Sequence, residues 1–433
     1  MLSRKTGIRF LHMKASDTII TSSGISRSSM NRTEKKLIEY KSELDQELEN
    51  ILNYWMKFTV DKVNGGFLGR IDHADKTYPD APKGSVLNSR ILWSFSAAYS
   101  LTKRPEYLET AERAFNYLKN YFLDEEYGGL YWTVDCEGRP LDQKKQIYAL
   151  AFAVYGLSEF YKASGDESAK LSAITLYGYT VLYSYDDLHG GYIEAFSRNW
   201  KEIGDLRLSD KDANERKSMN THLHLLEAFA NLYKIWPDEN LKEEIKLLIN
   251  IFLDRIIARD TYHLSLFFDD EWKVKSQIIS YGHDVEAAWL IGEAATSIQD
   301  KVLLKRVNDY SLSLTNAAAE GLDEDGGLWY EFEIESGKMI KQKHWWPQAE
   351  AMIGFFNAWQ ISEDEKYLDQ SIRSWQFVQN YLLDKDYGEW KWGVNEDYST
   401  MDTEDKVGIW KCPYHNSRAC IEIIERISGL IRE

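Results

Sequence analysis

The chain has 433 residues, and its 44% hydrophobic and 14% aromatic content is enough for a large buried core. A formal net charge of −17 at pH 7 argues against a nucleic-acid partner and favours a neutral substrate over a phosphorylated one. Three cysteines cannot form a disulfide framework, and no apolar run reaches the roughly 18 residues of a membrane span. We therefore predict a cytoplasmic protein without a membrane partner.

The first 30 residues differ from the rest in composition. They are basic and rich in Ser and Thr, and Asp17 is their only acidic residue. This composition faintly resembles a transit peptide, while Met30 offers an alternative start of translation. We expect residues 1–30 to be a disordered leader or an incorrectly assigned start, and residues 31–433 to form a single domain.

A loop motif divides the remaining chain into six units. The motif Asp-x-x-x-Gly-Gly, followed by an aromatic or aliphatic residue, recurs about every 65 residues. Paired glycines permit the positive φ angles of a tight turn, and the residues after them predict short β-like arms. The copies are Asp61–Phe67, Asp124–Leu130, Asp186–Tyr192, the variant Asp323–Leu328 and Asp384–Trp390, and a sixth at Asp260–Leu264 without the glycine pair.

Each motif lies between two predicted helices. The helix before it is amphipathic, and the helix after it is apolar over more of its circumference, which indicates an outer and an inner layer. Six such pairs closed into a ring make an all-α (α/α)6 barrel. An open solenoid is the alternative, but it needs polar end caps that neither terminus shows. The predicted outer helices are 34–58, 105–122, 167–184, 239–258, 300–318 and 364–382; the inner ones are 86–102, 146–163, 219–236, 283–298, 347–362 and 415–431.

In such a barrel the first turns of the inner helices converge at one end, which we call the cup. Five of the nine histidines fall in these turns. His222 and His224 are two residues apart, so only one can face the axis, and we choose His224 because Asn220 shares its helix face. The polar and aromatic residues of the cup are Asn88, Arg90, Tyr148, Asn220, His222, His224, His283, Glu286, Trp345, Trp346, Gln348, Glu350, Trp410, Tyr414, His415, Asn416 and Arg418; the fifth histidine of these turns, His344, we place in the loop that leads into its helix.

His283 is the central candidate, because histidine exchanges protons near neutral pH. Glu286 lies one helical turn beyond it, where its carboxylate can orient the imidazole. A solvated helix start is the alternative interpretation of this stretch. Arg90 has the alternative of a structural ion pair, and Tyr148 and the tryptophans have that of ordinary core packing.

Two other chemistries are open to these residues. His224, His283, His415 and Glu286 could bind a metal, but no two ligands have the short spacing of a typical metal motif, so we predict none. An inverting glycosidase needs two carboxylates about 6.5–9.5 Å apart. Because the cup is richer in imidazole than in acid, we favour proton transfer at carbon.

Three segments then resemble a known family. They are Ser280–Glu286 (Ser-Tyr-Gly-His-Asp-Val-Glu), Trp345–Glu350 (Trp-Trp-Pro-Gln-Ala-Glu) and Trp410–Asn416 (Trp-Lys-Cys-Pro-Tyr-His-Asn). They are similar to the N-acylglucosamine 2-epimerase family, and within it to the cellobiose 2-epimerases, from about residue 31 to the end. The resemblance implies an (α/α)6 barrel that inverts C2 of a reducing-end sugar without a redox cofactor or a required metal.

The resemblance also implies roles for individual residues. His283 and His415 would be the paired acid/base catalysts, Glu286 the carboxylate supporting His283, and His224 a third essential histidine. The implied sugar contacts are Arg90, Tyr148, Asn220, Trp346 and Trp410, to which we add Glu350.

The implied substrate is a neutral β-1,4-linked disaccharide, with cellobiose converted to glucosyl-mannose and lactose accepted. The alternatives are an aldose–ketose isomerase, a 2-epimerase of N-acetylglucosamine or mannose, and a non-catalytic carbohydrate-binding toroid. We expect a monomer or a weak homodimer.

Overall fold

A computed structural model describes residues 31–431. The predicted leader, residues 1–30, lies outside the described residues, so the expectation for it stays a prediction.

Helices alternate between an outer and an inner layer, as the sequence predicts. Their ends agree with the predicted ones to within two residues once the short π-helical turns at 118–122 and 252–256 are included. The outer helices are α1 (Arg32–Phe58), α3 (Pro105–Tyr117), α5 (Glu167–Ser184), α7 (Glu239–Ile251), α9 (Lys301–Ala318) and α11 (Glu365–Tyr381). The inner helices are α2 (Ser85–Thr102), α4 (Ile147–Ser164), α6 (Met219–Ile235), α8 (Tyr281–Ser297), α10 (Trp345–Ser362) and α12 (Tyr414–Leu430).

The starts of the outer helices follow from their sequence. In five of them an Asp or Asn side chain accepts a hydrogen bond from a backbone N–H of the first turn, which satisfies a donor that the helix leaves free. The sixth, α3, begins with Pro105, whose missing N–H costs nothing at that position. The capping residues are Asn31, Asp166, Asp238, Asp300 and Asp364.

The inner layer closes into a ring. Consecutive inner helices pack against one another, and α12 packs against both α2 and α1. This closure excludes the open solenoid and confirms the (α/α)6 barrel. Within residues 31–431, none of these helices is both long enough and apolar enough to cross a membrane.

Short antiparallel strands connect the units around the rim of the cup. The strand that precedes an inner helix pairs with a strand of the next unit, as in β1–β2, β4–β5, β6–β7, β8–β9 and β11–β12. A bridge between Ile71 and Val407 joins the first unit to the last. The strands are β1 (Lys83–Gly84), β2 (Thr133–Val134), β3 (Pro140–Asp142), β4 (Lys145–Gln146), β5 (Ala195–Phe196), β6 (Lys217–Ser218), β7 (Phe267–Phe268), β8 (Ile278–Ser280), β9 (Glu331–Glu333), β10 (Lys338–Ile340), β11 (Lys343–His344) and β12 (Gly393–Val394).

All six loop motifs form the same tight hairpin. The glycines are required where side chains crowd the turn: Gly191 has φ +81°, and a Cβ there would lie 2.4 Å from the Trp272 ring. The copy without glycines still forms the hairpin bridge between Ile257 and Leu264, and Tyr262 adopts the positive φ.

The motif aspartate has a partner that the sequence analysis missed. In five units it accepts a hydrogen bond from a buried lysine of the strand or loop that leads into an inner helix. These ion pairs fix each hairpin to the start of its inner helix and thereby position the cup. The pairs are Asp61–Lys83, Asp124–Lys145, Asp186–Lys217, Asp323–Lys343 and Asp384–Lys406, with N–O distances of 2.8, 2.7, 2.7, 2.6 and 2.5 Å.

Candidate active site

In three inner helices, the side chain of the fourth residue is hydrogen-bonded to the adjacent hairpin and does not face the barrel axis. His222 accepts a hydrogen bond at Nε2 from the Tyr192 N–H (2.9 Å), and its Nδ1 contacts the Ser218 carbonyl (2.6 Å). Asp284 and Gln348 accept the equivalent N–H on their own units. Burial lowers the pKa of His222 to about 4. His222 is therefore structural, which leaves His224 as the axial histidine of α6.

His224 is held by a carboxylate on its own helix. Its Nδ1 lies 2.7 Å from Oε1 of Glu227, one turn further along. The imidazole packs against the rings of Tyr148 and Phe152 at centroid distances of 5.1 and 4.6 Å. Burial lowers the pKa of His224 against the opposing effect of Glu227, so the ring is neutral and presents its other nitrogen.

His415 has the same arrangement with a carboxylate from another helix. Its Nδ1 lies 2.7 Å from Oε1 of Glu350 on α10, and burial lowers its pKa to about 3 despite that partner. Glu350 is fully buried, and its other oxygen accepts from Trp289 Nε1 (2.9 Å). The structure thus makes Glu350 a partner of His415 rather than the sugar contact that we predicted.

His283 lies in the first turn of α8 and is partly exposed. Its Nδ1 is 2.7 Å from the hydroxyl of Ser280, and burial together with the nearby His224 and His415 lowers its pKa to about 3. The predicted support by Glu286 is wrong, because Nδ1 of His283 bonds to Ser280 instead, while Oε1 of Glu286 accepts from the Arg418 guanidinium at 3.0 Å. A charge-assisted hydrogen bond of this kind is stronger than one to a neutral imidazole.

One indole brings the two proposed acid/base residues together. The ring of Trp346 lies 4.6 Å from that of His283 and 5.6 Å from that of His415, centroid to centroid. Within residues 31–431, Nε2 of both histidines and of His224 forms no hydrogen bond. Each imidazole is thus anchored at Nδ1 and free at Nε2, which leaves Nε2 available for proton transfer.

Arg90 is a buried cation in the cup without a carboxylate partner among the described residues. Its guanidinium donates to the Tyr148 hydroxyl (2.9 Å) and the Trp410 carbonyl (3.3 Å), so the alternative of a structural ion pair does not hold. The Trp410 ring lies 5.9 Å from that of Tyr148. The structure therefore brings together these three residues, all predicted from the sequence, beside His224.

Asn220 occupies the second position of α6. Its Oδ1 is buried without a hydrogen-bond partner among the described residues, and the side chain lines a cavity of about 20 Å³ with Glu194 and Asp212. Burial raises the pKa of Glu194 to about 7. His344, which we expected in a loop, belongs to strand β11 and stacks on Tyr330 at 3.9 Å.

The cup has a favourable environment for negative charge. Five of the six inner helices of the described chain begin without a side-chain cap. Their free N–H groups and the positive end of the helix dipole favour an anion. This favourable environment does not extend to a second buried carboxylate: burial, followed by the charge of Glu350, raises the pKa of Glu286 well above the usual carboxyl range.

A metal fits the cup poorly. Among residues 31–431, one group of three potential ligands, Glu286, Glu350 and His415, has its donor atoms within 4.8 Å of one another. One nitrogen of Arg418, Nη2, donates to both of these carboxylates, so its positive charge lies where a metal ion would have to be. The four-ligand set considered from the sequence does not form.

Three of the contacts that hold the histidines and their carboxylates were not predicted from the sequence. Glu227 supports His224, Ser280 supports His283, and Arg418 contacts the carboxylates around His415. Each lies three residues from the histidine named with it, which is the spacing of side chains that meet along a helix. That spacing was the available signal, and applying it to His283 alone selected the wrong partner.

Known proteins are similar to this chain over most of its length. The sequence profile of the N-acylglucosamine 2-epimerase (GlcNAc 2-epimerase) family matches residues 66–419. A cellobiose 2-epimerase of Bacteroides fragilis is 48% identical over 385 residues, covering 89% of this chain and 98% of the relative. One from Ruminococcus albus is 39% identical over 387 residues, with the same coverage.

A solved structure shows the same fold. The cellobiose 2-epimerase from Bacillus thermoamylovorans B4167 superimposes with a TM-score of 0.86 at 38% identity, covering 90% of this chain and 100% of the other. The fold and the resemblance predicted from the sequence are confirmed. This chain is an isomerase and belongs to the N-acylglucosamine 2-epimerase family of carbohydrate epimerases.

Proposed function

We propose that this enzyme inverts C2 of the reducing-end sugar of a β-1,4-linked disaccharide, converting cellobiose to glucosyl-mannose and accepting lactose. The observation that supports it most is the contact of His283 and His415 with the same indole, each with Nε2 free of protein partners. The names of the relatives point to the same substrate class. The cytoplasm is the compartment that we propose for it.

The reaction begins with opening of the sugar ring. His415 takes the proton of the O1 hydroxyl, the bond between C1 and the ring oxygen breaks, and a solvent water gives the ring oxygen its proton, which exposes the C1 aldehyde. This step leaves His415 as an imidazolium, anchored by the carboxylate of Glu350. That is the form that a proton donor at C2 needs.

Inversion follows from two proton transfers on opposite faces of C2. Nε2 of His283 removes the C2 proton, the C–H electrons form the C1–C2 double bond, and O1 becomes an enediolate oxygen. His415 then delivers its proton to the other face of C2, and the C1 carbonyl forms again. The histidines exchange roles in the reverse reaction. A positioned general base contributes about 10²–10⁴ in rate.

The enediolate needs a positive partner, and Arg90 is the candidate. It is buried, lacks a carboxylate among the described residues, and is oriented by Tyr148. A donor directed at a developing oxyanion contributes about 3 kcal/mol to lowering the barrier. Trp346 and Trp410 offer the flat faces on which sugar rings stack, with Trp346 nearest both histidines.

Deuterium incorporation tests this function. The enzyme is incubated in D₂O with cellobiose, lactose, mannose or N-acetylglucosamine, and the sugars are followed by NMR. An epimer carrying deuterium at C2 from cellobiose, with weaker exchange on the monosaccharides, is the expected result. A ketose product would identify an aldose–ketose isomerase. Exchange confined to a monosaccharide would show that this monosaccharide, and not the disaccharide, is the substrate. Release of monosaccharide, or no exchange on any sugar, would overturn the proposal.

A further inference from the structure

Arg418 lies at the centre of the polar groups beneath the cup. It is fully buried on α12, one turn beyond His415. Its Nη1 donates to Glu227 at 2.6 Å, and its Nη2 donates to Glu286 at 3.0 Å and to Glu350 at 2.7 Å. These carboxylates come from three different inner helices, α6, α8 and α10. One guanidinium therefore binds three walls of the barrel at the level of the site.

Two of the three carboxylates are the partners of catalytic histidines. Glu227 contacts Nδ1 of His224 and Glu350 contacts Nδ1 of His415, each at 2.7 Å. An ionised carboxylate accepts the Nδ1–H and so leaves the lone pair on Nε2. A protonated carboxyl could instead donate to Nδ1 and place the ring proton on Nε2. The state of the two carboxylates thus decides whether the imidazoles can act as bases.

The positive charge of Arg418 determines whether these two carboxylates stay ionised. Three buried carboxylates near one cation are costly unless they are hydrogen-bonded and paired. Glu227 and Glu350 have several protein donors, whereas Oε2 of Glu286 has none among the described residues. The charged and titratable groups near Arg418 are Glu227, Glu286 and Glu350, the histidines His224 and His415, Tyr155 of α4, and Tyr414 and Glu422 of its own helix; Arg90 approaches across the Tyr414 ring.

We propose that Arg418 is the positioning residue that holds Glu227 and Glu350 as hydrogen-bond acceptors for His224 and His415, so that both imidazoles present an unprotonated Nε2 to the substrate. The proposal rests on the proposed function for its kinetic consequences. Arg418 does not contact the sugar, because its side chain is enclosed by Glu227, Glu286, Glu350 and the rings of Trp289 and Tyr414.

Two substitutions of Arg418 distinguish the effect of its charge from the effect of its hydrogen-bond geometry. Arg418→Met removes the cation, so the cluster gains affinity for a proton. We expect the acid limb of the kcat profile for C2 exchange to move up by one pH unit or more. Arg418→Lys keeps the charge but lacks the planar fork that reaches three carboxylates. We expect its acid limb to stay in place, its kcat to fall about 100-fold, and its KM to change less than about threefold.

Arg426→Met is the matched control. Arg426 lies on the same helix and pairs with Glu293 at 3.0 Å, but it contacts none of the histidine partners. Its substitution should leave the pH profile unchanged. The proposal is overturned if kcat falls in both Arg418 variants but the acid limb of Arg418→Met stays at the wild-type pH. It is also overturned if Arg418→Lys retains the wild-type kcat. Should Arg418→Met fail to fold, Arg418→Lys decides.

A measurement without substrate keeps this test independent of the proposed function. Long-range ¹H–¹⁵N NMR of ¹⁵N-histidine-labelled enzyme distinguishes the two neutral tautomers and the imidazolium. The wild type should show His224 and His415 protonated at Nδ1 at pH 7, and Arg418→Lys should show a mixture of states. Unchanged histidine spectra would overturn the proposal for Arg418. Absence of C2 exchange in the wild type would overturn only the proposed function.

Discussion

Gln348 on α10 makes the same contact with its hairpin that His222 makes on α6. Each is the fourth residue of its inner helix, and each accepts a hydrogen bond from the backbone N–H of the residue after the glycine pair, Leu328 and Tyr192 respectively. Each also contacts the carbonyl of the residue four positions earlier. The chain therefore contains its own non-titratable replacement for His222.

His222→Gln should keep the fold and the activity but flatten the dependence of stability on pH. Folded His222 has a pKa of about 4, below the 6.5 of an unfolded histidine. The unfolded state therefore binds more protons below pH 6.5, and stability falls as the pH decreases from 6.5 towards 4. The substitution should remove up to about 3 kcal/mol of that loss.

Denaturant unfolding at pH 7, 6, 5 and 4.5 measures this difference. His73→Gln is the control, since His73 is exposed and its loss should leave the slope unchanged. Equal slopes for wild type and His222→Gln would show that His222 is not buried in its neutral form.

His283→Ala and His415→Ala should each abolish turnover and leave the barrel intact. Each removes one of the two proposed bases, whose rings lie in the cup beside Trp346. The measurement is C2 exchange in D₂O, with circular dichroism as the check on folding. Retention of more than about a tenth of the wild-type rate by either variant would exclude that residue as a base, since general-base catalysis contributes at least about 10².

Arg90→Gln should lower kcat by about 100-fold or more, corresponding to about 3 kcal/mol of lost enediolate stabilisation. KM should change little, because the charge that Arg90 opposes develops only along the reaction. Steady-state kinetics with cellobiose measures both constants. A rise in KM at constant kcat would instead make Arg90 a ground-state sugar contact.

Lys145→Met should destabilise the enzyme by about 1.5–3 kcal/mol, because it removes a charge-assisted hydrogen bond of 2.7 Å from buried Asp124, whose remaining charged partner is Arg198 at 2.9 Å. Lys246→Met is the control: Lys246 forms a partly exposed pair with Glu243, and such pairs contribute about 0–1 kcal/mol. Chemical unfolding of the three proteins measures the difference. A loss below about 1 kcal/mol in Lys145→Met would contradict a structural role for the aspartate–lysine pairs.

Helices and their layers were predictable because helical periodicity and the loop motif are local signals. The axial positions of His224, His283 and His415 followed from these helices by geometry. Glu350 did not follow as the partner of His415, since the two are 65 positions apart and nothing local selects that pair. The buried lysines were missed because no local pattern marks them as buried. Lys83 and its equivalents stand outside the motif, where a single lysine resembles an ordinary surface residue.

Helix α12 completes the ring and also carries His415 and Arg418. During synthesis on the ribosome, five units of the barrel can emerge and pack before this helix is made. The three carboxylates that surround Arg418 would then lack its positive charge, and the nascent chain would lack one of the two proposed bases. Under the proposed function, activity therefore appears only once α12 has packed into the ring, and we expect a chain cleaved before residue 414 to leave sugars unchanged.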